Sequence, residues 1–438
     1  MMSQPDPVVH PIEQMVVNAY PSTAPGAVLL LVRQGEVLYR RGIGLANLEH
    51  QVPMTPDMPF CLASLTKPVT ATAVLMLVEA GRLALTDSLT DLLPDYPSGK
   101  APITVEHLLT HTSGIPEFSE IPEWWAVHRQ DVSLDQLIDL FKDHPLPFTP
   151  GTQWSYCNSG YILLGAIIEK VSGKSYRDFL ADHIFSPIGM VHTCYDATSG
   201  RVIPHMVSGY TKTPDAYLHA EFFSNSHFYA AGGLVSTVDD LARFCTALCS
   251  GKLLKAETLR RMWTPARLPD GALTRYGCGW WVSTCQGRSV MEHYGIRPGY
   301  ANQLLVLPDD DILAIVLSNN DGKLNQTEQL AVEMAALALR NPYQPPARFP
   351  LSSTALSHFA GTYTTSEGKV LNIGEEAGQL MLQATPEERF ALQPLSPLEF
   401  FFPESPESRL LFSRAEDRVT GFLWTPRRGM PLHARRTE

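Results

Sequence analysis

The stretch Val69–Ala80, ending at Gly81, is apolar on nearly every helical face. A helix with no polar side is buried, so the rest of the chain has to cover it all round. It is entered through Cys61-Leu62-Ala63-Ser64-Leu65-Thr66-Lys67-Pro68, and the pattern predicts a helix over Ser64–Ala80. Ser64 and Lys67, three residues apart, share one face of the first turn. The hydroxyl sits where the helix dipole favours developing negative charge, and the amine lies beside it to take its proton. Pro68 fits, because a first turn has no partner for the missing N–H.

The cover comes from both ends of a long chain. At 438 residues the sequence predicts two or three units. Residues 9–20 read as a helix, and Ala27–Val32 with Glu36–Tyr39 around Gln34-Gly35 read as a β-hairpin. A middle rich in helices and loops runs from Val105 to about Phe222 and holds a helix at Tyr161–Val171, closed by Ser172-Gly173. Ser236-Thr237-Val238-Asp239 starts another with capping-box spacing. Strands return at Ser289–His293, Tyr300–Leu307 and Ile312–Leu317, before a last helix at about Gln326–Leu339. This order predicts an α/β (α+β) fold: one antiparallel sheet built from both ends, flanked by helices, plus a helical region.

A proline-rich linker, 341–350, separates residues 1–340 from residues 351–438. Beyond it, short alternating segments such as Val370–Ile373, Leu380–Leu382, Glu399–Phe402 and Gly421–Trp424 predict a small up-and-down β-barrel or half-barrel.

With 44 % hydrophobic and 18 % charged residues the composition is that of a globular protein. A net charge of −11 argues against nucleic acid or an anionic membrane as partner. No run has the apolar length of a membrane helix. Met1–Pro7 carries no secretory signal pattern, which predicts a cytoplasmic protein. The seven scattered cysteines form no disulfide framework, and Cys245 and Cys249 lack partners at zinc spacing. His107 and His111, though at i,i+4 spacing, lack an H-E-x-x-H context and read as structural. Neither metal nor cofactor is expected.

Two more motifs follow S-x-x-K in order: Tyr156-Cys157-Asn158, and His293-Tyr294-Gly295. The set resembles the penicillin-recognising serine hydrolases, most closely the class C β-lactamase branch with its esterases, D-amino-acid-specific peptidases and penicillin-binding-protein-type acyltransferases. Flanking segments resemble the family too: His107–Ile115, Ile184–Met190 and Gly232–Thr237. Phe359-Ala360-Gly361-Thr362-Tyr363 looks like the opening of the lipocalin-like domain some relatives carry. The resemblance implies a β-lactamase/transpeptidase-like fold over roughly three quarters of the chain.

Acyl transfer needs a nucleophile, a base, a proton donor and oxyanion donors. Ser64 is the nucleophile candidate, its plain alternative being a helix cap. Lys67 is the first base candidate, provided that burial depresses its pKa. Tyr156 is the second, and the family's usual proton shuttle. Asn158 offers both donor and acceptor for Lys67 and a substrate amide. Cys157 should point away. By resemblance the oxyanion would meet the backbone N–H groups of Ser64 and Ile296, and Gly295 lets a substrate backbone approach that strand. His293 stands where penicillin-binding proteins and most β-lactamases have a lysine that holds a substrate carboxylate, whereas some related amidases, esterases and cyclases resemble this chain in carrying a histidine. A histidine there would donate a hydrogen bond instead. Phe118, Trp124 and Trp125 either wall the pocket or pack in the core, and Arg297 is a further carboxylate candidate.

These residues predict a serine hydrolase that acts on small amides, peptides (D-configured ones favoured) or esters through an acyl-enzyme on Ser64. An acyltransferase or peptide cyclase using the same site is one alternative. A catalytically dead sensor or scaffold is another. A homo-oligomer is compatible with either.

Overall fold

The computed structural model describes residues 8–437 apart from 98–101, 196–200, 342–345, 366–367, 386–388, 404, 417 and 429. Met1–Pro7, read above for a signal pattern, and the centre of the proline-rich linker lie outside the described residues. The chain divides into two compact units, Met1–Pro342 and Tyr343–Glu438.

The first unit is built on a six-stranded antiparallel sheet. Its strands are β1 (Ala27–Arg33), β2 (Glu36–Ile43), β3 (Trp281–Cys285), β4 (Arg288–Arg297), β5 (Tyr300–Leu307) and β6 (Ile312–Ser318). They lie in the order β3-β4-β5-β6-β1-β2, so the two chain ends meet where β1 pairs with β6, Ala27 opposite Ser318. Gln34 and Gly35 join β1 to β2 with φ of 52° and 75°, the left-handed pair a two-residue hairpin turn requires. Strand β3 was not anticipated, since Trp281-Val282-Ser283-Thr284-Cys285 carries no clear alternation.

Because β1 is apolar throughout, it feeds both sides of the sheet. Leu29 and Leu31 pack with Ile12 and Val16 of α1 (Val9–Ala19) on one side. Val28 and Leu30 pack on the other side in the core that holds α2 (Thr66–Glu79), α3 (Asn158–Ser172) and α4 (Val238–Cys249). A last helix, α5 (Leu324–Ala338), covers the α1 side through Leu330 and Met334. In α2 every residue from Thr66 to Leu75 is buried, and Leu77 as well. Each buried valine or leucine of this kind contributes about 1.5–3 kcal/mol of transfer free energy, against the entropy of ordering it.

Two helix starts differ from the sequence reading. A 3-10 turn, Ala63–Leu65, precedes α2, so Ser64 lies just before the α-helix and Lys67 within its first turn. Thr237 rather than Ser236 caps α4, its side chain accepting from the Asp240 N–H. The Ser236 hydroxyl is instead 2.6 Å from that of Thr193.

The second unit contains a closed antiparallel barrel of eight strands, from Gly361–Thr365 to Leu432–Arg436. Tyr363 pairs with Arg436 to close it. Alternate residues such as Leu371, Ile373, Leu380, Leu382, Phe400 and Phe412 fill its interior. The closing strand escaped sequence reading because Leu432-His433-Ala434-Arg435-Arg436 has too little apolar alternation. Among the described residues no helix is long and apolar enough to cross a membrane. No disulfide joins the seven cysteines.

Candidate active site

The turn bearing Ser64 is held from several sides. Phe60 and Cys61 pair with Ser236 and Val235, the Leu62 N–H donates to the Leu234 carbonyl at 2.9 Å, and the Leu234 N–H donates to Thr66 Oγ1. Asn302 on β5 donates to the carbonyls of Cys61 (2.9 Å) and Leu62 (3.2 Å). Ala63 takes a left-handed φ of 50°, a strained conformation for a residue with a side chain, directly before the serine. Opposite it lies Gly295, paired in register with Asn302. A Cβ at position 295 would sit 2.1 Å from the Leu62 carbonyl oxygen and 3.2 Å from the Ser64 nitrogen, so only glycine lets β4 come this close.

Lys67 is wholly buried. Its Nζ lies 3.1 Å from Ser64 Oγ and donates to Asn158 Oδ1 at 2.6 Å and the Ala231 carbonyl at 2.8 Å. Burial pulls its pKa down to about 7, outweighing the opposing pull of Glu117 and Cys157. The amine lies 4.7 Å from the centroid of the Tyr156 ring. The Tyr156 hydroxyl is buried and has no hydrogen-bond partner of normal geometry. Burial, reinforced by Tyr276 and Tyr294, pushes its pKa well above the ordinary value, and the nearby Ser64 hydroxyl offsets this only in part. Near neutral pH this site therefore holds an amine brought within reach of its neutral form beside a tyrosine that stays protonated.

Asn158 is the first residue of α3. Glu117, which sequence reasoning missed, accepts from both its backbone N–H and its Nδ2, the latter at 3.1 Å. That double contact fixes which way the amide faces and presents Oδ1 to Lys67. Cys157 turns away: its Sγ donates to the Ile115 carbonyl at 3.2 Å, and burial pushes the thiol up to about 12. Such a thiol is no nucleophile at neutral pH.

His293 lies on β4, two residues before Gly295. Its ring is wholly buried, with Nδ1 2.7 Å from the Tyr294 carbonyl and Nε2 2.9 Å from the Tyr276 hydroxyl. A carbonyl only accepts, so Nδ1 carries the proton and Nε2 accepts from Tyr276. Both ring nitrogens are thus engaged within the protein. Ile296, three residues on, exposes 46 % of its surface. Strand β3 pairs with β4 only as far as Glu292, and among the described residues no strand lies along the other edge of His293–Arg297. That edge faces the Ser64 turn.

His107 and His111 have structural partners. His107 completes the capping box of Thr104. His111 Nδ1 accepts from the Cys157 N–H at 3.1 Å, and its ring lies 4.3 Å from that of Tyr156. Phe118 and Trp124 are core residues, whereas Trp125 is 53 % exposed. Among the described residues no group of three or more His, Cys, Asp or Glu side chains is arranged to hold a metal ion.

The chain matches the family described as Beta-lactamase over residues 16–339. It is 29 % identical over 422 residues to a penicillin-binding protein of Bacillus subtilis (strain 168), covering 90 % of this chain and 91 % of that one. Among solved structures, the D-amino acid amidase from Ochrobactrum anthropi SV3, complexed with D-phenylalanine, superimposes with a TM-score of 0.67 at 26 % identity, covering 76 % of this chain and 100 % of the amidase. The octameric penicillin-binding protein homologue from Pyrococcus abyssi has the same fold over 98 % of this chain and 100 % of its own, with a TM-score of 0.70 at 24 % identity. The chain belongs to the Beta-lactamase family and is a β-lactamase-like serine hydrolase.

Proposed function

We propose that the protein hydrolyses small amides, short peptides and esters, with D-configured peptides the favoured subset, through a covalent acyl-enzyme on Ser64. The observation that carries this reading is the Lys67 amine, 3.1 Å from Ser64 Oγ with its pKa held at about 7.

Ser64 Oγ attacks the scissile carbonyl as neutral Lys67 takes its proton. Negative charge gathers on the carbonyl oxygen, where the N–H groups of Ser64 and Ile296 receive it. The proton held on Lys67 passes by way of the Tyr156 hydroxyl to the leaving nitrogen or oxygen, the bond to the carbonyl carbon breaks, and the acyl group stays on Ser64. Water then attacks the ester, its proton goes to Lys67, and Ser64 Oγ leaves and is reprotonated. Tyr156 serves as relay rather than base, because its own pKa stands well above 10. Asn158, steadied by Glu117, holds Lys67 through Oδ1, and the Nδ2 hydrogen not given to Glu117 remains for a substrate amide carbonyl. The open edge of His293–Arg297 accepts an extended substrate as an added strand.

The D-configured preference is supported by the likeness to the D-amino acid amidase. Turnover of matched D- and L-amino-acid amides, alongside p-nitrophenyl esters, tests both parts. Cleavage of D-amides and esters is expected. Cleavage of L-amides alone would contradict the stereochemical part, and cleavage of none of them the hydrolase part.

A further inference from the structure

Beyond the catalytic residues, β4 ends in an arginine with no carboxylate partner among the described residues. Arg297 lies two residues past Gly295 and so on the same face of the strand, about 7 Å farther along. Its guanidinium donates to Asn225 Oδ1 at 3.0 Å and to the Phe223 carbonyl at 3.2 Å, and lies 4.2 Å from the centroid of the Phe228 ring. Asn225 is itself pinned by donation to the Gly233 carbonyl at 2.9 Å. These partners fix the guanidinium in place without neutralising it, and two of its N–H groups suffice for them. Among the described residues no carboxylate pairs with it.

Arg297 opens into a cavity of about 360 Å³ that Arg201, His219, Glu221 and Phe222 also line. Glu221, the one acid among the described lining residues, is already held by Arg129 at 2.7 Å and His128 at 3.2 Å. His219 is paired with Glu49 at 2.7 Å. Arg201, like Arg297, has no acidic partner among the described residues. Among the described residues, two guanidiniums therefore face this concave space without a carboxylate of their own, and such a space favours an anion.

We propose that this cavity is a substrate subsite for a carboxylate set several bonds away from the scissile carbonyl, with Arg297 as its principal anchor. The inference rests on the hydrolase reading above and narrows its substrates to monoanionic amides and peptides. It differs from a carboxylate placed beside the scissile bond. That neighbour would meet position 293, roughly 13 Å back along the strand, where both ring nitrogens of His293 are engaged.

The test is equilibrium binding to the full-length Ser64→Ala protein, which holds ligands without cleaving them. One pair is glutaric acid monobenzylamide and its terminal carboxamide isostere, with the carboxylate on the acyl side. The other is N-phenylacetyl-γ-aminobutyrate and its carboxamide, with the carboxylate on the amine side. In one of the two pairs the carboxylate should bind about ten-fold tighter or more. Arg297→Gln should abolish most of that preference, Arg297→Lys should keep part of it, and raising the salt concentration should shrink it without any substitution at position 297. Equal binding within both pairs overturns the proposal, as does a preference that survives Arg297→Gln or is indifferent to salt. Should Arg297→Gln not fold, Arg297→Lys and the salt series still decide. Failure of the wild-type protein to acylate with p-nitrophenyl butyrate is a separate outcome, and it strikes the hydrolase reading alone.

Discussion

Tyr276 donates its hydroxyl to Nε2 of His293 at 2.9 Å, so the residue standing where the family resemblance leads one to expect a lysine is tied into the protein. A fixed cation is missing from the place where a penicillin carboxylate would need one. Penicillin should therefore be hydrolysed at least about ten-fold more slowly than p-nitrophenyl butyrate, a charge-assisted bond being worth that much. Spectrophotometric rates on the two substrates check it, and faster turnover of penicillin would contradict it.

The Lys67 pKa of about 7 sets a pH dependence. The amine must be neutral to take the Ser64 proton, so kcat/KM for a neutral ester should rise as pH passes through about 7 and level off above it. Lys67→Ala should lower kcat about a thousand-fold or more, because nucleophile and base act as a unit. Stopped-flow acylation between pH 5 and pH 9 reads both effects. A rate flat across that range would mean that another group is the base.

Gly295→Ala tests the contact between β4 and the serine turn. Its Cβ would sit 2.1 Å from a backbone oxygen held in turn by Asn302, so the strand has to move. We expect a loss of about 1–3 kcal/mol in stability and at least about a hundred-fold in kcat. Thermal melts and ester kinetics measure the two. An unchanged kcat would remove Gly295 and Ile296 from the site.

What the sequence made legible were the groups packed into short motifs. Ser64 and Lys67 lie one helical turn apart, and Tyr156 and Asn158 flank one residue, so spacing alone brings each pair together. The sheet was legible because Ala27–Val32 of β1 and Ile312–Leu317 of β6 are unbroken apolar runs. The supports were not. Glu117 meets Asn158 across 41 residues, Tyr276 meets His293 across 17, and Asn302 meets Leu62 across 240. No local period reports such contacts. For His293 the sequence reports its place on the strand but not the Tyr276 hydroxyl beside its ring.

Every residue assigned to the chemistry lies in the unit Met1–Pro342, and the barrel has a core of its own. A chain truncated after Arg340 should still acylate at Ser64 with a small ester. Adduct formation by intact mass checks it. A truncated protein that folds but does not acylate would place a catalytic group in the barrel.

The most direct measurement is the intact mass of wild-type and Ser64→Ala protein after brief exposure to p-nitrophenyl butyrate, followed by peptide mapping. The account predicts one butyryl group on wild type, located to Ser64, and none on Ser64→Ala. A butyryl group on the Ser64→Ala protein, or on any other residue of wild type, would contradict it.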